Sequence, residues 1–199
     1  MKEEIIKIFD SSARVKQQFA KENADVIMEV VGLIAQTFTR GNKVLLFGNG
    51  GSATDASHIA GEFVNRFLLE RPGLPAIALG TDMAVVTSIA NDYDYSEIFA
   101  KQVKALGQEG DVAIGISTSG SSPNVVKGII AARDLGIKTV VMTGNKNKGG
   151  KLAAMADYAF VVPSSETPRI QETHITLGHV ICQLVDETLF GGAKKGRTS

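Results

Sequence analysis

After residue 40 the chain alternates five short apolar runs, each stopped by glycine, proline or a small polar residue, with longer stretches of helical character. The runs are KVLLFGNG (43–50), PAIALG (75–80), DVAIGIST (111–118), KTVVMTG (138–144) and DYAFVVP (157–163). Their apolar stretches are near-continuous, so each reads as a strand buried on both faces, as in a parallel sheet. Residues 53–69, 82–90, 95–106 and 123–135 between them read as helices. Such alternation implies right-handed crossovers and an α/β fold: a three-layer α/β/α sandwich around a five-stranded parallel sheet.

The ends of the chain read differently. Residues 1–40 are expected to form an N-terminal helical pair. Ile5, Ile6, Phe9 and Ala13 mark a first stripe that fades at Lys16. Asn23 is placed as the cap of a second helix to about Phe38, with Val26, Ile27, Val30, Val31, Ile34 and Phe38 at helical spacing. Near the other end, Thr167 as cap and Pro168 in the first turn open a last helix to about Phe190. GGAKKGRTS, 191–199, reads as a flexible tail. One domain is expected: helical pair 1–40, α/β core 41–190 and tail 191–199.

Composition removes several classes of function. Lys plus Arg number 21 and so do Asp plus Glu, a formal charge of zero that gives a nucleic-acid partner no basic surface to bind. One cysteine, Cys182, rules out an internal disulfide framework and suits a reducing compartment. MKEEIIKIFD places acids where a secretory leader would be basic, and no apolar run is long enough to span a bilayer. A cytoplasmic protein without membrane contact is expected.

In open α/β sheets, ligands bind outside the carboxyl ends of the strands. Two such ends are unusual here. GNGGSATD, 48–55, lets the backbone turn sharply and approach a ligand before a helix begins, but it has neither the GxGxxG spacing nor a following GK[ST]. A tight structural turn explains it equally well. STSGSSPN, 117–124, gathers Ser117, Thr118, Ser119, Ser121 and Ser122 beside a glycine, and Pro123 fits the first turn of the next helix. Hydroxyls plus a helix N-terminus make an anion site that needs no lysine. An ordinary N-cap requires one hydroxyl, not five.

His58 and Glu62 lie four apart on the helix leaving the glycine loop, so both project from nearly one face. That pair can bind a divalent metal, share a proton, or simply hydrogen-bond on a helix surface. On the last helix Gln171 and His179 are eight apart, about 80° around and about 12 Å along. His174 lies about 140° from His179, on a stripe suited to packing.

The STSG loop after a strand, paired with the upstream GNGGSA loop, resembles the sugar isomerase (SIS) domain family, a flavodoxin-like fold. DASHIAGEF and RIQETHITLGH resemble the phosphoheptose isomerases within it, over nearly the whole chain. The resemblance implies interconversion of sedoheptulose 7-phosphate and D-glycero-D-manno-heptose 7-phosphate, feeding heptose units of lipopolysaccharide or another surface glycan. It implies zinc held by His58, Glu62, Gln171 and His179, with Glu62 and His179 as the proton-transfer pair. Substrate contacts carry over to Asn49, Gly50, Gly51, Ser52, Glu62, Asn91, Asp92, Ser117, Thr118, Ser119, Ser122 and Gln171. A homotetramer with active sites at subunit junctions is implied as well. Pro168 stands where some members carry an aspartate, so no role transfers to it.

Aldose–ketose isomerisation moves one proton between adjacent carbons and another between their oxygens. Glu62 is expected to act on carbon, with His179 as partner acid and base. The rival reading is a non-catalytic SIS protein that binds a replication initiator or senses a sugar phosphate. That initiator-binding branch lacks the last-helix histidine, which this chain keeps at His179.

Overall fold

The computed structural model describes residues 1–191. All five expected strands are present: β1 (Val44–Gly48), β2 (Ala76–Ala78), β3 (Val112–Ser117), β4 (Lys138–Gly144) and β5 (Tyr158–Val162). They form one parallel sheet in the order β2-β1-β3-β4-β5. β1 and β3 are buried at every position, which explains why neither shows polar alternation.

Successive side chains point to opposite faces of the sheet. Val44, Leu46, Val112, Ile114 and Met142 pack beneath α1 (Lys2–Thr39), α2 (Gly51–Val64) and α7 (Thr167–Phe190). Leu45, Phe47, Ala113 and Val141 face the opposite layer, built from α3 (Met83–Asp92), α4 (Ile98–Leu106), α5 (Pro123–Asp134) and α6 (Gly150–Met155). The three layers are those read from the sequence.

Several boundaries differ. The expected helical pair is a single helix of 38 residues, about 57 Å long. Asn23 caps nothing: its Nδ2 donates to the Phe19 carbonyl one turn back, inside the helix. The polar segment around it is rich in Lys, Gln, Glu and Ala, which favour helix, so nothing breaks the rod. Its buried stripe is continuous from Phe19 through Ile27, Val30, Val31 and Ile34 to Phe38, whereas Ile5, Ile6, Ile8 and Phe9 are exposed. In α7 the capping position falls to Glu166, and Thr167 is already helical.

α2 stops at Val64 rather than residue 69 because Arg71 folds back on it. The guanidinium donates to the carbonyls of Glu62, Phe63 and Asn65, taking oxygens that a helix end leaves unpaired. It also pairs with Asp186 of α7 at 2.9 Å, both side chains 1% exposed. Stretch 95–106 begins as a 3-10 turn, Tyr95–Glu97, before α4. α6 and the 3-10 turn Lys146–Gly149 ahead of it are unexpected, hidden behind two adjacent glycines. The expected flexible tail lies, from residue 192 onward, outside the described residues.

Candidate active site

The sheet order reverses between β1 and β3, the switch point at which doubly wound folds open a ligand crevice. Both loops singled out in the sequence leave the sheet there. β1 passes through Asn49 and Gly50 into α2 on one face; β3 passes through 118–122 into α5 on the other. Two helix N-termini therefore point into one crevice and add their partial positive charge. Gly50 has φ 55°, a left-handed conformation that favours glycine. At Gly51 a Cβ would stand 2.5 Å from Gln171 Nε2, so the bare backbone is what admits that amide.

Between these helix ends lies a cavity of about 90 Å³ lined by Asn49, Ser52, Ile116, Ser117, Thr118, Ser122 and Gln171. Its polar lining is hydroxyl and amide, with no lysine or arginine among the described lining residues. Ser122 sits at the N-cap of α5, yet its hydroxyl makes no capping bond. It pairs instead with Ser117 Oγ at 2.9 Å, and Ser119 Oγ lies 3.4 Å from the same oxygen. The ordinary-cap explanation of this serine therefore does not hold. Backbone bonds from Gly144 N–H to the Thr118 carbonyl and from Leu152 N–H to the Gly120 carbonyl strap the loop to β4 and α6. These bonds hold the shape of the loop from two sides.

A second cluster lies further along α2 and α7, which pack side by side. His58 Nε2 is 3.0 Å from Glu62 Oε1 and 3.2 Å from His179 Nε2. Donor atoms of all three lie within 4.8 Å of one another, so they could hold a metal ion. One ring nitrogen here faces both a carboxylate oxygen and a second ring nitrogen. A single proton on it can serve only one of them; a cation at the centre serves all three. Donor atoms about 2.0–2.1 Å from a tetrahedral zinc ion stand about 3.3 Å apart, close to the spacings found, and two histidines with one glutamate leave a fourth position open. The residues fit such an ion.

Neighbours fix this cluster in place. Phe67 stacks on the His179 ring, centroids 5.5 Å apart and planes 12° from parallel. Arg71 Nη2 holds the Glu62 carbonyl at 2.8 Å, anchoring the turn that carries its carboxylate. Asp55, one turn before His58, has a buried Oδ2 without a described partner. Burial raises its pKa, opposed by attraction to His58 and His179. Burial likewise pushes the Cys182 thiol up to about 12, helped by the nearby Glu62 and Asp186 carboxylates, so it stays protonated and inert.

Of the residues proposed from sequence, Asn49, Ser52, Ser117, Thr118, Ser122 and Gln171 share the cradle. Gly50 and Gly51 shape its turn, and Ser119 braces it. His58, Glu62 and His179 form the second cluster. Gln171 stands at the cradle, eight residues and about 12 Å of helical rise from His179. Asn91 and Asp92 are exposed at the end of α3, where Asn91 Nδ2 donates to Asp92 Oδ1; no described contact joins them to either cluster. His174 is fully buried and its Nε2 meets the Thr143 carbonyl at 3.2 Å, a packing role as expected. Sequence reasoning missed Asn124, Tyr95, Phe67, Arg71 and Asp55. Asp55 was within reach, since it lies three residues before His58 on the same helix. The others act through folding contacts that carry no local motif.

Comparison with known proteins identifies the family. The SIS domain family matches residues 8–144. A phosphoheptose isomerase of Thermodesulfovibrio yellowstonii is 64% identical over 96% of this chain and 94% of its own. That of Aquifex aeolicus is 57% identical over 94% of this chain and 97% of its own. Among solved structures, the phosphoheptose isomerase of Neisseria gonorrhoeae superposes with a TM-score of 0.87 at 40% identity, covering 94% of this chain and 98% of that one. That of Francisella tularensis gives 0.88 at 38%, covering 93% and 97%. With the sheet order, the cradle and the histidine–glutamate cluster in place, the chain belongs to the phosphoheptose isomerases of the SIS domain family.

Proposed function

We propose that the chain converts sedoheptulose 7-phosphate to D-glycero-D-manno-heptose 7-phosphate. The observation that carries this reading is the placement of cradle and cluster at two levels of one helix pair. α2 leaves the cradle at Ser52 and reaches His58 and Glu62 six and ten residues later, about 9 and 15 Å of rise. α7 leaves it at Gln171 and reaches His179 about 12 Å on. An extended seven-carbon phosphate ester is of that order of length. The phosphate sits among Ser52, Ser117, Thr118, Ser119 and Ser122, and the carbonyl end reaches Glu62 and His179. Asn49, Gln171, Asn91 and Asp92 are the further substrate contacts of this reading.

Chemistry at that end needs a base for carbon and a proton carrier for oxygen. Glu62 takes a proton from C1 of the ketose. The freed electron pair forms the C1=C2 bond while the C2 carbonyl pair moves onto its oxygen. That oxygen takes a proton from His179. Return of the carboxyl proton to C2, with loss of the O1 proton to the imidazole, completes the aldose. His179 Nε2 faces His58, so the proton passes through Nδ1. Zinc held by His58, Glu62 and His179, with its fourth position open to the sugar because Gln171 stands at the cradle, would supply Lewis-acid polarisation of the two oxygens. A binding-only role leaves the convergence of three ionisable side chains without a purpose.

The exposed Ile5, Ile6, Ile8 and Phe9 on α1 suit an isologous interface, in line with assembly as a homotetramer. Among the described residues no helix is long and apolar enough to cross a membrane; a cytoplasmic enzyme supplying heptose to lipopolysaccharide or another surface glycan fits this. The test is incubation of purified protein with sedoheptulose 7-phosphate, with zinc and after chelation. An aldose product should form with zinc and fall on chelation, and Glu62→Gln should lower turnover at least ~100-fold. A Glu62→Gln enzyme with near-native turnover would remove the assigned base.

A further inference from the structure

Asn49 and Asn124 face each other as a reciprocal amide pair across the crevice. Asn49 Nδ2 donates to Asn124 Oδ1 at 2.9 Å, and Asn124 Nδ2 donates to Asn49 Oδ1 at 2.8 Å. In isolation, both amides could be turned over together with no change in bonding. Val125 removes that freedom. Its backbone N–H lies 2.9 Å from Asn124 Oδ1, and a backbone N–H only donates, so that atom is oxygen. The Asn49 atom facing it must then be nitrogen, and its other terminal atom oxygen. The Tyr95 hydroxyl, 3.2 Å from that oxygen, must be the donor. One backbone amide in the first turn of α5 thereby sets the direction of every bond in the relay.

The consequence concerns what Asn49 can offer a ligand. Its oxygen already takes two donors, one for each lone pair, and its nitrogen spends one of two protons on Asn124. A single N–H remains. Asn49 lines both the cradle and an adjoining cavity of about 510 Å³ shared with Ser122, Asn124, Tyr95 and Lys127. Asn124 itself is 2% exposed, so its amide is committed to the pair.

We propose that Asn124 is a positioning residue that holds Asn49 as a donor-only group aimed at an acceptor oxygen of the bound sugar phosphate, with Tyr95 completing the lock. This rests on the substrate site described under Proposed function. A loose amide would present an acceptor as often as a donor. The locked one favours an oxygen with lone pairs to give.

A mutant cycle tests it: Asn49→Ala, Asn124→Ala and the double variant, measured as kcat/KM for sedoheptulose 7-phosphate and as affinity for it by calorimetry. Melting temperatures are recorded alongside. Each single change should cost about tenfold in kcat/KM, the size of one lost hydrogen bond. The double should be no worse than Asn49→Ala, because Asn124 acts through Asn49. Multiplied losses, about a hundredfold in the double, would overturn the proposal, since a merely structural residue adds its own defect. Should Asn124→Ala fail to fold, the same cycle with Tyr95→Phe decides. That hydroxyl is exposed, and its removal should cost about threefold alone and nothing further in Asn49→Ala. A wild-type protein that binds sedoheptulose 7-phosphate without turning it over would overturn the isomerase reading instead, and the calorimetric cycle would still decide this one.

Discussion

Acidification should destabilise this protein through a residue outside the active site. His174 has no exposed surface, and its Nε2–H donates to the Thr143 carbonyl while Nδ1 has no described partner. Burial pushes its pKa down from 6.5 to about 4, with the Thr143 bond opposing weakly. In the folded protein the ring is therefore neutral at pH 5, whereas in the unfolded chain it is protonated below pH 6.5. The unfolded state binds the extra proton between those two values, so stability falls as pH drops through that window. From pH 6.5 to 5 the span is about 1.5 units, and at about 1.36 kcal/mol per unit the loss is about 2 kcal/mol. Replacing the ring by an apolar side chain of similar size, His174→Met, abolishes this titration. The orphaned Thr143 carbonyl then costs the same at every pH. Urea unfolding of both proteins at pH 7 and pH 5, at equal concentration and with chelator, reads the difference and cancels the other histidines. Wild type should lose about 2 kcal/mol more than His174→Met between the two pH values. Equal losses would show that burial does not hold this ring neutral.

Two further substitutions probe the helix pair. Arg71→Met leaves the Asp186 carboxylate buried without its cation and should cost about 3–5 kcal/mol in chemical unfolding; a loss below about 1 kcal/mol would mean water reaches the site. At Gly178→Ala the new Cβ would come within 2.5 Å of Ile59 Cδ1, so that either the Ile59 side chain or α7 must shift beside His58 and His179. On the proposed zinc site, affinity for the ion, read with a competing chelator, should fall at least ~10-fold, and unchanged affinity would show that the helices do not need this close contact.

How much of this was written locally differs from element to element. The strands were legible because each is buried on both faces and carries an unbroken apolar run. The serine loop was legible because five hydroxyls exceed what a cap requires. Asn23 misled because the residue type that caps helices also bonds back to the i−4 carbonyl within one, and only packing decides between these. The end of α2 was invisible locally: Arg71 stops it from seven residues away, with a partner 115 residues further on. Asn124 looked like an ordinary first-turn residue, and its partner Asn49 is 75 positions distant. A motif records what a residue is; long-range pairing decides what it can still offer.

Sugar length is where this distinction bears on the reaction. As a proposed phosphate site the cradle is generic, since hydroxyls and two helix ends suit any phosphate ester. The histidine–glutamate cluster is equally generic for a hydroxycarbonyl. Neither selects seven carbons alone. What connects them is α2 lying against α7, with the Gly51–Gln171 contact at the cradle level and the Ile59–Gly178 contact at the cluster level. Arg71 and Asp186 clamp the same two helices beyond the cluster. Close-packed helices do not stretch to suit a ligand. On the proposed reading, a shorter sugar phosphate seated in the cradle leaves its carbonyl short of Glu62 by a carbon–carbon bond or more, and a displacement of that order is enough to lose most of the rate. Discrimination among sugar phosphates therefore follows from the spacing of two helical levels, and residues that set it need never touch the substrate.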